Sequence, residues 1–344
     1  MKVKDLYDLN SFKVSFNDYT SNNHKVKRIV DMAKQKYADA DGGLVVGENL
    51  VAVDPTIFEK KYPENVYVNS GVEVSNFGGI QDQVQSLRVN EQGEFTPGID
   101  RSDAKGKFSL FGETSLIKII NMNGFAEWED DDVERSALQN INLPSQLTVA
   151  MRKRYLQEID KVGLLGVKAV SPNADNVALG LLNNTGFTST ASAGAINTLT
   201  AQAMYDEISN LIVNQWNDVD NIPEYMATHV FMPTRVRNEL MRKTWDSSNA
   251  SNVTVYSYLV ENYPQVKFVA THRADVDNSD GLLTASATVA VSTSGDVLKM
   301  RIPRPLTIGK ITEQGSFGYM VQAKYRIGGN DFLENAGGRI LTGL

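Results

Sequence analysis

Residues 76–118 carry six glycines, Gly78, Gly79, Gly93, Gly98, Gly106 and Gly112, among short alternating stretches such as Val84-Gln85-Ser86-Leu87-Arg88-Val89. Alternation with period two describes a strand, and glycines between such strands describe turns and bulges. The segment therefore reads as a long two-stranded excursion. It has too few apolar residues for a core of its own, and an isolated hairpin is marginal in water. Any fold for this chain must supply something outside the excursion to cover it.

The flanks are ordinary globular sequence. Of 344 residues, 42% are hydrophobic and 22% charged. A length near 344 predicts roughly two domains. No run of about 18 apolar residues is present, so no membrane-spanning helix is expected, and the first residues lead into no secretory signal. Cysteine is absent, which excludes disulfides, thiolate nucleophiles and Cys-ligated metals. Charge is uneven. Residues 1–38 hold eight bases and four acids, while the whole chain carries −7. A basic arm on an acidic body either meets an anionic partner or forms a solvated terminal helix.

Element by element, residues 25–37 predict a short helix with Val26, Ile29, Val30 and Ala33 on one face. Val45 to Val53 and Val66 to Val74 predict strands. The acidic run Glu127, Glu129, Asp130, Asp131, Asp132 and Glu134 falls where a helix begins, where carboxylates complement the free amides of the first turn. The alternative, a cation site, lacks the loop glycine that a calcium loop uses. After Pro144 comes a longer helix, with Leu147, Met151, Tyr155, Ile159 and Val162 on one face, expected to stop near Gly163. From about residue 170 helices and strands alternate. Thr200 caps a helix bearing Met204, Ile208, Leu211, Ile212 and Trp216. His229 to Met232 is a strand stopped by Pro233, and Thr234 is expected to cap the next helix. A short helix spans about Val253 to Asn262. Strands are expected at Gln265 to Thr271, Thr288 to Ser292, Val297 to Ile302 and Tyr319 to Ile327, with Pro303 and Pro305 marking an edge or exit.

Catalytic signatures are missing. The sequence contains no GxxxxGK[ST], no G-x-G-x-x-G after a strand, no G-x-S-x-G and no HExxH. His24, His229 and His272 stand apart, and His229 reads as a core or edge residue of its strand. Trp128, Trp216 and Trp245 form no base-stacking platform among bases. Acid–base pairs among scattered carboxylates are invisible at this level, so a soluble enzyme with an unrecognised site stays an alternative.

The order of elements, together with several strings, resembles the tailed-bacteriophage major capsid proteins, whose Hong Kong bacteriophage-type coat fold is shared with encapsulins. The strings are Ala178-Leu179-Gly180-Leu181-Leu182-Asn183 after the long helix, Val230-Phe231-Met232-Pro233-Thr234-Arg235, Thr254-Val255-Tyr256-Ser257-Tyr258-Leu259 before Tyr263-Pro264-Gln265-Val266, and Tyr325-Arg326-Ile327-Gly328-Gly329 before Gly337-Gly338-Arg339-Ile340. The resemblance implies an α+β fold: an N-terminal arm (1–45), an extended β-hairpin loop (76–118), a peripheral domain with a long spine helix (46–75, 119–170 and 300–327) and an axial α/β domain (171–299 and 328–344).

It implies a shell subunit with no enzymatic activity and no cofactor or metal. Copies would form hexamers and pentamers of an icosahedral phage head around double-stranded DNA, assembled in the host bacterial cytoplasm without contact with a membrane. The alternative within the same fold is an encapsulin-type nanocompartment with a protein cargo. Partners implied are adjacent capsomers, a separate scaffolding protein, a portal and, in some relatives, a decoration protein. Only about 45 residues precede the first strand signals, which leaves little room for a built-in scaffold. In the arm, Lys25, Lys27, Arg28, Ile29, Val30, Lys34 and Lys36 are the expected contacts with neighbours or DNA. Lys105 and Lys107 lie in the loop, and an uncrosslinked shell is expected because no nearby carboxylate can be assigned to activate either one.

Overall fold

A computed structural model describes residues 65–94, 108–138, 142–167, 178–245, 253–315 and 317–344. The helix expected at 25–37, the strand at Val45 to Val53, and Lys105 and Lys107 lie outside the described residues. The chain divides into two compact units. Among the described residues, one takes in 65–69 and those within 121–160 and 304–326; the other takes in those within 70–120, 161–303 and 327–344.

In chain order the elements are α1 (Val66–Asn69), β1 (Glu73–Ser75), β2 (Gln83–Gly93), β3 (Phe108–Lys118), β4 (Ile120–Glu129), α2 (Asp130–Leu138), α3 (Leu143–Leu165), β5 (Gly166–Val167), β6 (Ala178–Leu179) and β7 (Thr188–Ala191). They continue with α4 (Ala201–Asp218), β8 (His229–Pro233), α5 (Thr234–Arg242), α6 (Val255–Asn262), β9 (Lys267–Thr271), β10 (Ala287–Val291), β11 (Leu298–Arg301), β12 (Arg304–Gln314), β13 (Gly318–Ile327), β14 (Gly329–Phe332) and β15 (Gly338–Thr342).

The first unit is a three-stranded sheet, in order β12-β13-β4, with α2 and most of α3. The acidic run does start a helix: Asp130, Asp131 and Asp132 form the first turn of α2. Pro144 is the second residue of α3, where its missing N–H is one the helix would leave unpaired anyway. Trp128, Val133 and Val321 form the core, packed by Leu147, Met151, Ile308 and Ile311, and the Trp128 and Tyr319 rings stack at 6.3 Å. The strand β12 was not expected as such. It occupies a sheet edge, the position that tolerates Pro305.

The extended stretch expected over Val66 to Val74 is instead a helical turn and a three-residue strand. Gly71 at φ +82 adopts a left-handed conformation that a continuous strand excludes. Tyr67 is fully buried and its amide donates to Asp160 Oδ1 at 2.7 Å.

The second unit centres on a mixed five-stranded sheet, order β7-β15-β10-β8-β9. Strands β8 and β10 are buried at every residue, which explains why apolar residues fill them except for His229 and Thr288. The core joins β8 and β10 to α4, α5 and α6 through Met204, Ile208, Ile212, Val230, Met232, Val236 and Leu259. Thr200 caps α4 by accepting from Ala203 N. Thr254, not Val253, begins α6 as its cap. Thr234 is not a cap. Pro233, at φ −58 and ψ 143, holds that position without a side-chain acceptor, and Thr234 is the first helical residue. Strands β14 and β15, short and glycine-flanked, escape sequence periodicity altogether.

The long helix passes Gly163 and ends at Leu165. Gly166, at φ +77, terminates it; a Cβ there would overlap the Ala178 carbonyl oxygen. The Gly-Leu-Leu-Asn string closes this end. Leu181 N donates to Gly163 O at 3.0 Å and Leu182 N to Leu164 O at 2.9 Å. Asn183 Nδ2 donates to Leu165 O at 2.8 Å, while its Oδ1 accepts from Gly180 N. Asn330 Nδ2 adds a second bond to Gly163 O at 2.7 Å. Carbonyls that a helix end leaves without intrahelical partners are thus satisfied by one short segment and one asparagine.

Candidate assembly surface

The hairpin β2–β3 pairs over eleven residues in unbroken antiparallel register, from Gln83 opposite Lys118 to Gly93 opposite Phe108. At about 3.4 Å per residue the ribbon is roughly 35 Å long. Opposed residues share a face, and faces alternate along the strand. One face carries Leu87 and Val89 on β2 with Leu116, Leu110 and Phe108 on β3. All five are exposed, Leu87, Leu110 and Leu116 by 67, 70 and 68%. Fully burying such a side chain is worth about 1.5–3 kcal/mol, so this face offers on the order of 10 kcal/mol before the costs of association.

The opposite face is anchored, and only at its base. Val84 is buried, and Gly78 approaches it so closely that a Cβ at 78 would lie 2.7 Å from Val84 Cγ2. Ser86 Oγ donates to Asp331 Oδ2 at 2.6 Å. The same carboxylate oxygen takes Arg301 Nε at 2.9 Å and Nη2 at 2.6 Å. Arg301 also donates to Ser75 Oγ at 2.7 Å and to Ser86 Oγ at 3.0 Å. Two residues farther out, Arg88 pairs with Glu334. Beyond Arg88 every residue of β2 is exposed.

These residues were only partly foreseen. The alternation in β2 contains the apolar face, since Leu87 and Val89 share parity. The anchor does not show, because Ser86 and Asp331 are 245 positions apart. The predicted arm contacts Lys25, Lys27, Arg28, Ile29, Val30, Lys34 and Lys36 all lie outside the described residues. His229 sits in β8 with Nδ1 at 3.0 Å from Thr228 Oγ1 and 3.4 Å from Thr293 Oγ1. Burial, with Lys267 nearby, pushes its pKa down to about 4, the state of a packed neutral imidazole. Among the described residues no cluster of three His, Asp or Glu side chains could hold a metal, and no helix is long and apolar enough to cross a membrane.

A family model described as major capsid protein matches residues 113–343. The capsid of Myoviridae Phage XM1 is 32% identical, aligns over 88% of this chain and 100% of its own, and superposes with a TM-score of 0.76. This chain belongs to the major capsid protein family. Its α+β fold is that of the phage coat, and its role is structural, not enzymatic: it is a subunit of a virion capsid that self-assembles into capsomers. More distant structures keep the fold. The capsid of a native GTA particle is 10% identical, over 88% of this chain and 99% of its own, at a TM-score of 0.60. A structure from Mycobacterium phage Ogopogo is 10% identical over 88% and 100%, also at 0.60. No curated protein sequence matches the chain.

The ribbon face leaves Leu87, Val89, Phe108, Leu110 and Leu116 exposed to solvent. Clustered exposed apolar side chains of this kind mark an interaction site, and a long ribbon that pairs with no further strand among the described residues invites association.

Proposed function

We propose that the hairpin is the main intersubunit arm of this capsid protein, and that its Leu87, Val89, Phe108, Leu110 and Leu116 face is covered by a neighbouring copy in the capsomer. The observation that carries this is the asymmetry of the ribbon, with one face held to its own chain at the base and the other carrying five exposed apolar side chains among Gln85, Glu91 and Thr114. Copies joined in this way form hexamers and pentamers of a closed icosahedral shell around double-stranded DNA. The domain scheme follows the same logic: arm 1–45, loop 76–118, peripheral domain 46–75, 119–170 and 300–327, axial domain 171–299 and 328–344.

A separate scaffolding protein, a portal and, where present, a decoration protein complete the particle, which is built in the host cytoplasm. The arm residues Lys25, Lys27, Arg28, Lys34 and Lys36 contact an acidic neighbour or packaged DNA, and Ile29 and Val30 dock on a subunit surface. Screening beyond about 8 Å at physiological salt favours the neighbour.

Electron microscopy of protein expressed with its scaffolding partner tests the reading. Capsomers, tubes or shells are expected. Replacing Leu87 and Leu116 together with Asp should leave folded, unassembled subunits. A double variant that still builds uniform shells defeats the hairpin assignment. Ile29→Asp with Val30→Asp should likewise abolish assembly; normal particles would make the arm a passive tail.

A further inference from the structure

We infer that Arg88 is a positioning residue for assembly, its ion pair with Glu334 fixing the angle at which the hairpin projects. This rests on the reading of the hairpin as the intersubunit arm. The geometry divides the anchored face of β2 into three points at every second residue: Val84, Ser86 and Arg88. They span four residues, about 14 Å. Val84 is an apolar plug, and Ser86 is tied to a carboxylate, Asp331, that is itself 1% exposed and held by two bonds from Arg301. Those two points are deep in the unit and hold the ribbon to it. They lie only two residues apart, about 7 Å, at the very base of the ribbon.

The ribbon beyond them is long. Val89 to Gly93 adds five exposed residues of β2, roughly 17 Å. With only the two deep points, a tilt of about 15° at Ser86 would carry Gly93 some 6 Å sideways, since Gly93 lies seven residues, about 24 Å, away. That displacement exceeds the 4.0–4.5 Å within which apolar side chains touch, so the apolar face would miss its target. Arg88 supplies the third and outermost point. Its side chain is 38% exposed and its partner Glu334 15% exposed, so the contact is polar, shallow and not part of any core.

Glu334 is placed to receive it. Its Oε2 takes Arg88, while Oε1 accepts from Ala336 N at 3.2 Å and caps the turn at Asn335–Gly337. The backbone of Glu334 is fixed as well, its amide donating to Val297 O at 3.4 Å. The acceptor is therefore rigid before the hairpin arrives, as a positioning contact requires. A pair open to solvent on one side contributes modestly to stability and is weakened by salt. It can tune the projection angle without changing whether the subunit folds.

The test compares Arg88→Gln, Arg88→Lys and Glu334→Gln with the double replacement of Leu87 and Leu116 by Asp. Glu334→Gln keeps an oxygen for the Ala336 cap while removing the charge. Dispersed subunits are assayed for melting temperature, for hydrogen exchange in β2 and β3, and for the protein concentration at which assembly begins. Arg88→Gln and Glu334→Gln should lower the melt by no more than about 2–4 °C, the shift that a pair of this size is worth, and speed exchange at 89–93 and 108–112. They should raise the assembly concentration about fivefold, the factor equivalent to a pair near the upper end for exposed ion pairs. Arg88→Lys should recover most of the loss, and the wild type should lose assembly efficiency as salt rises.

Assembly of Arg88→Gln at the wild-type concentration, while the Leu87/Leu116 variant fails, would overturn the positioning role and leave the hairpin reading intact. Normal assembly of the Leu87/Leu116 variant would remove both. A melt lowered by more than about 4 °C in Arg88→Gln, beyond what a pair of this size is worth, or an Arg88→Lys no better than Arg88→Gln, would make the contact structural packing and also overturn the inference.

Discussion

Asn183 donates its side-chain amide to the carbonyl of Leu165, eighteen positions earlier, at 2.8 Å, and so closes the last turn of the 23-residue helix α3. The same side chain accepts from Gly180 N at 2.7 Å. One side chain thus ties the last carbonyl of the helix to the bend of the chain that caps it. Replacing it with Leu leaves a partly buried carbonyl and a partly buried amide unpaired, at about 1–3 kcal/mol each. Chemical denaturation of Asn183→Leu should show a loss of about 2–4 kcal/mol, and Asn183→Asp, which keeps the acceptor for Gly180 N but sets a carboxylate oxygen against the Leu165 carbonyl at the negative end of the helix, should lose at least as much.

Gly166 makes a companion prediction on the backbone. Its φ of +77 and the overlap of any Cβ with Ala178 O act together. Gly166→Ala should destabilise by more than the roughly 1 kcal/mol of a left-handed penalty alone. Gly71, also left-handed at φ +82 but with open space around its Cβ position, should show the penalty alone when replaced by Ala. The difference between the two variants in equal denaturant measures the steric part.

How much of this was readable in advance follows from the range of each interaction. The start of α2 at Asp130, the cap at Thr200 and the buried strand at His229 depend on neighbours within a few residues, so the sequence carries them. The end of α3, expected near Gly163, falls two residues on at Leu165; what stops it there, Gly166 meeting Ala178, lies across a gap that no local pattern spans. Thr234 failed as a cap for a local reason that composition hides: Pro233 already holds an extended ψ at the boundary. The hairpin was legible as a ribbon in need of cover. Its anchor was not, because Ser86, Arg301 and Asp331 meet only in three dimensions.

That anchor predicts a contrast with Arg88. Asp331 and Arg301 are 1% and 11% exposed at their side chains, and removing one partner strands a buried charge. Arg301→Ala should cost about 3–5 kcal/mol in unfolding free energy. Arg301→Lys should recover little, because one ammonium cannot supply the forked donors that reach Ser75, Ser86 and Asp331 together. Thermal denaturation of the three proteins gives the ranking.

His229 sets a pH dependence. Its pKa in the fold is about 4, below the ordinary value near 6.5. Between those values the unfolded chain binds the proton and the folded one does not, so stability falls as pH falls. The contribution is complete above pH 6.5 and is lost progressively toward pH 4, by up to about 3 kcal/mol. The groups around the imidazole are the Thr228 and Thr293 hydroxyls and the Lys267 ammonium, none of which offers a carboxylate to welcome the charge. His229→Gln should flatten the stability profile over this range, measured by denaturant midpoints from pH 7 to pH 4. An unchanged slope would assign the acid sensitivity to other groups.

Gly93 and Phe108 form the last register pair of the ribbon, and the Phe108 ring lies directly over the glycine, so that a Cβ at 93 would overlap ring carbons. An aromatic ring laid across a cross-strand glycine covers backbone that would otherwise be bare. It closes the described end of the ribbon, and it also holds Phe108 on the same face as Leu87, Val89, Leu110 and Leu116. Gly93→Ala forces the ring away. The core lies elsewhere, so global unfolding should change by no more than about 0.5 kcal/mol, while the end pair loses its cover and frays. Limited proteolysis of dispersed subunits should then cut the variant faster within the hairpin, and assembly should weaken because Phe108 no longer adds to the apolar face. Phe108→Leu, which fills part of the space without a ring, should fall between the two. Equal cleavage rates for wild type and Gly93→Ala would mean that the end of the ribbon is held by something other than this pair.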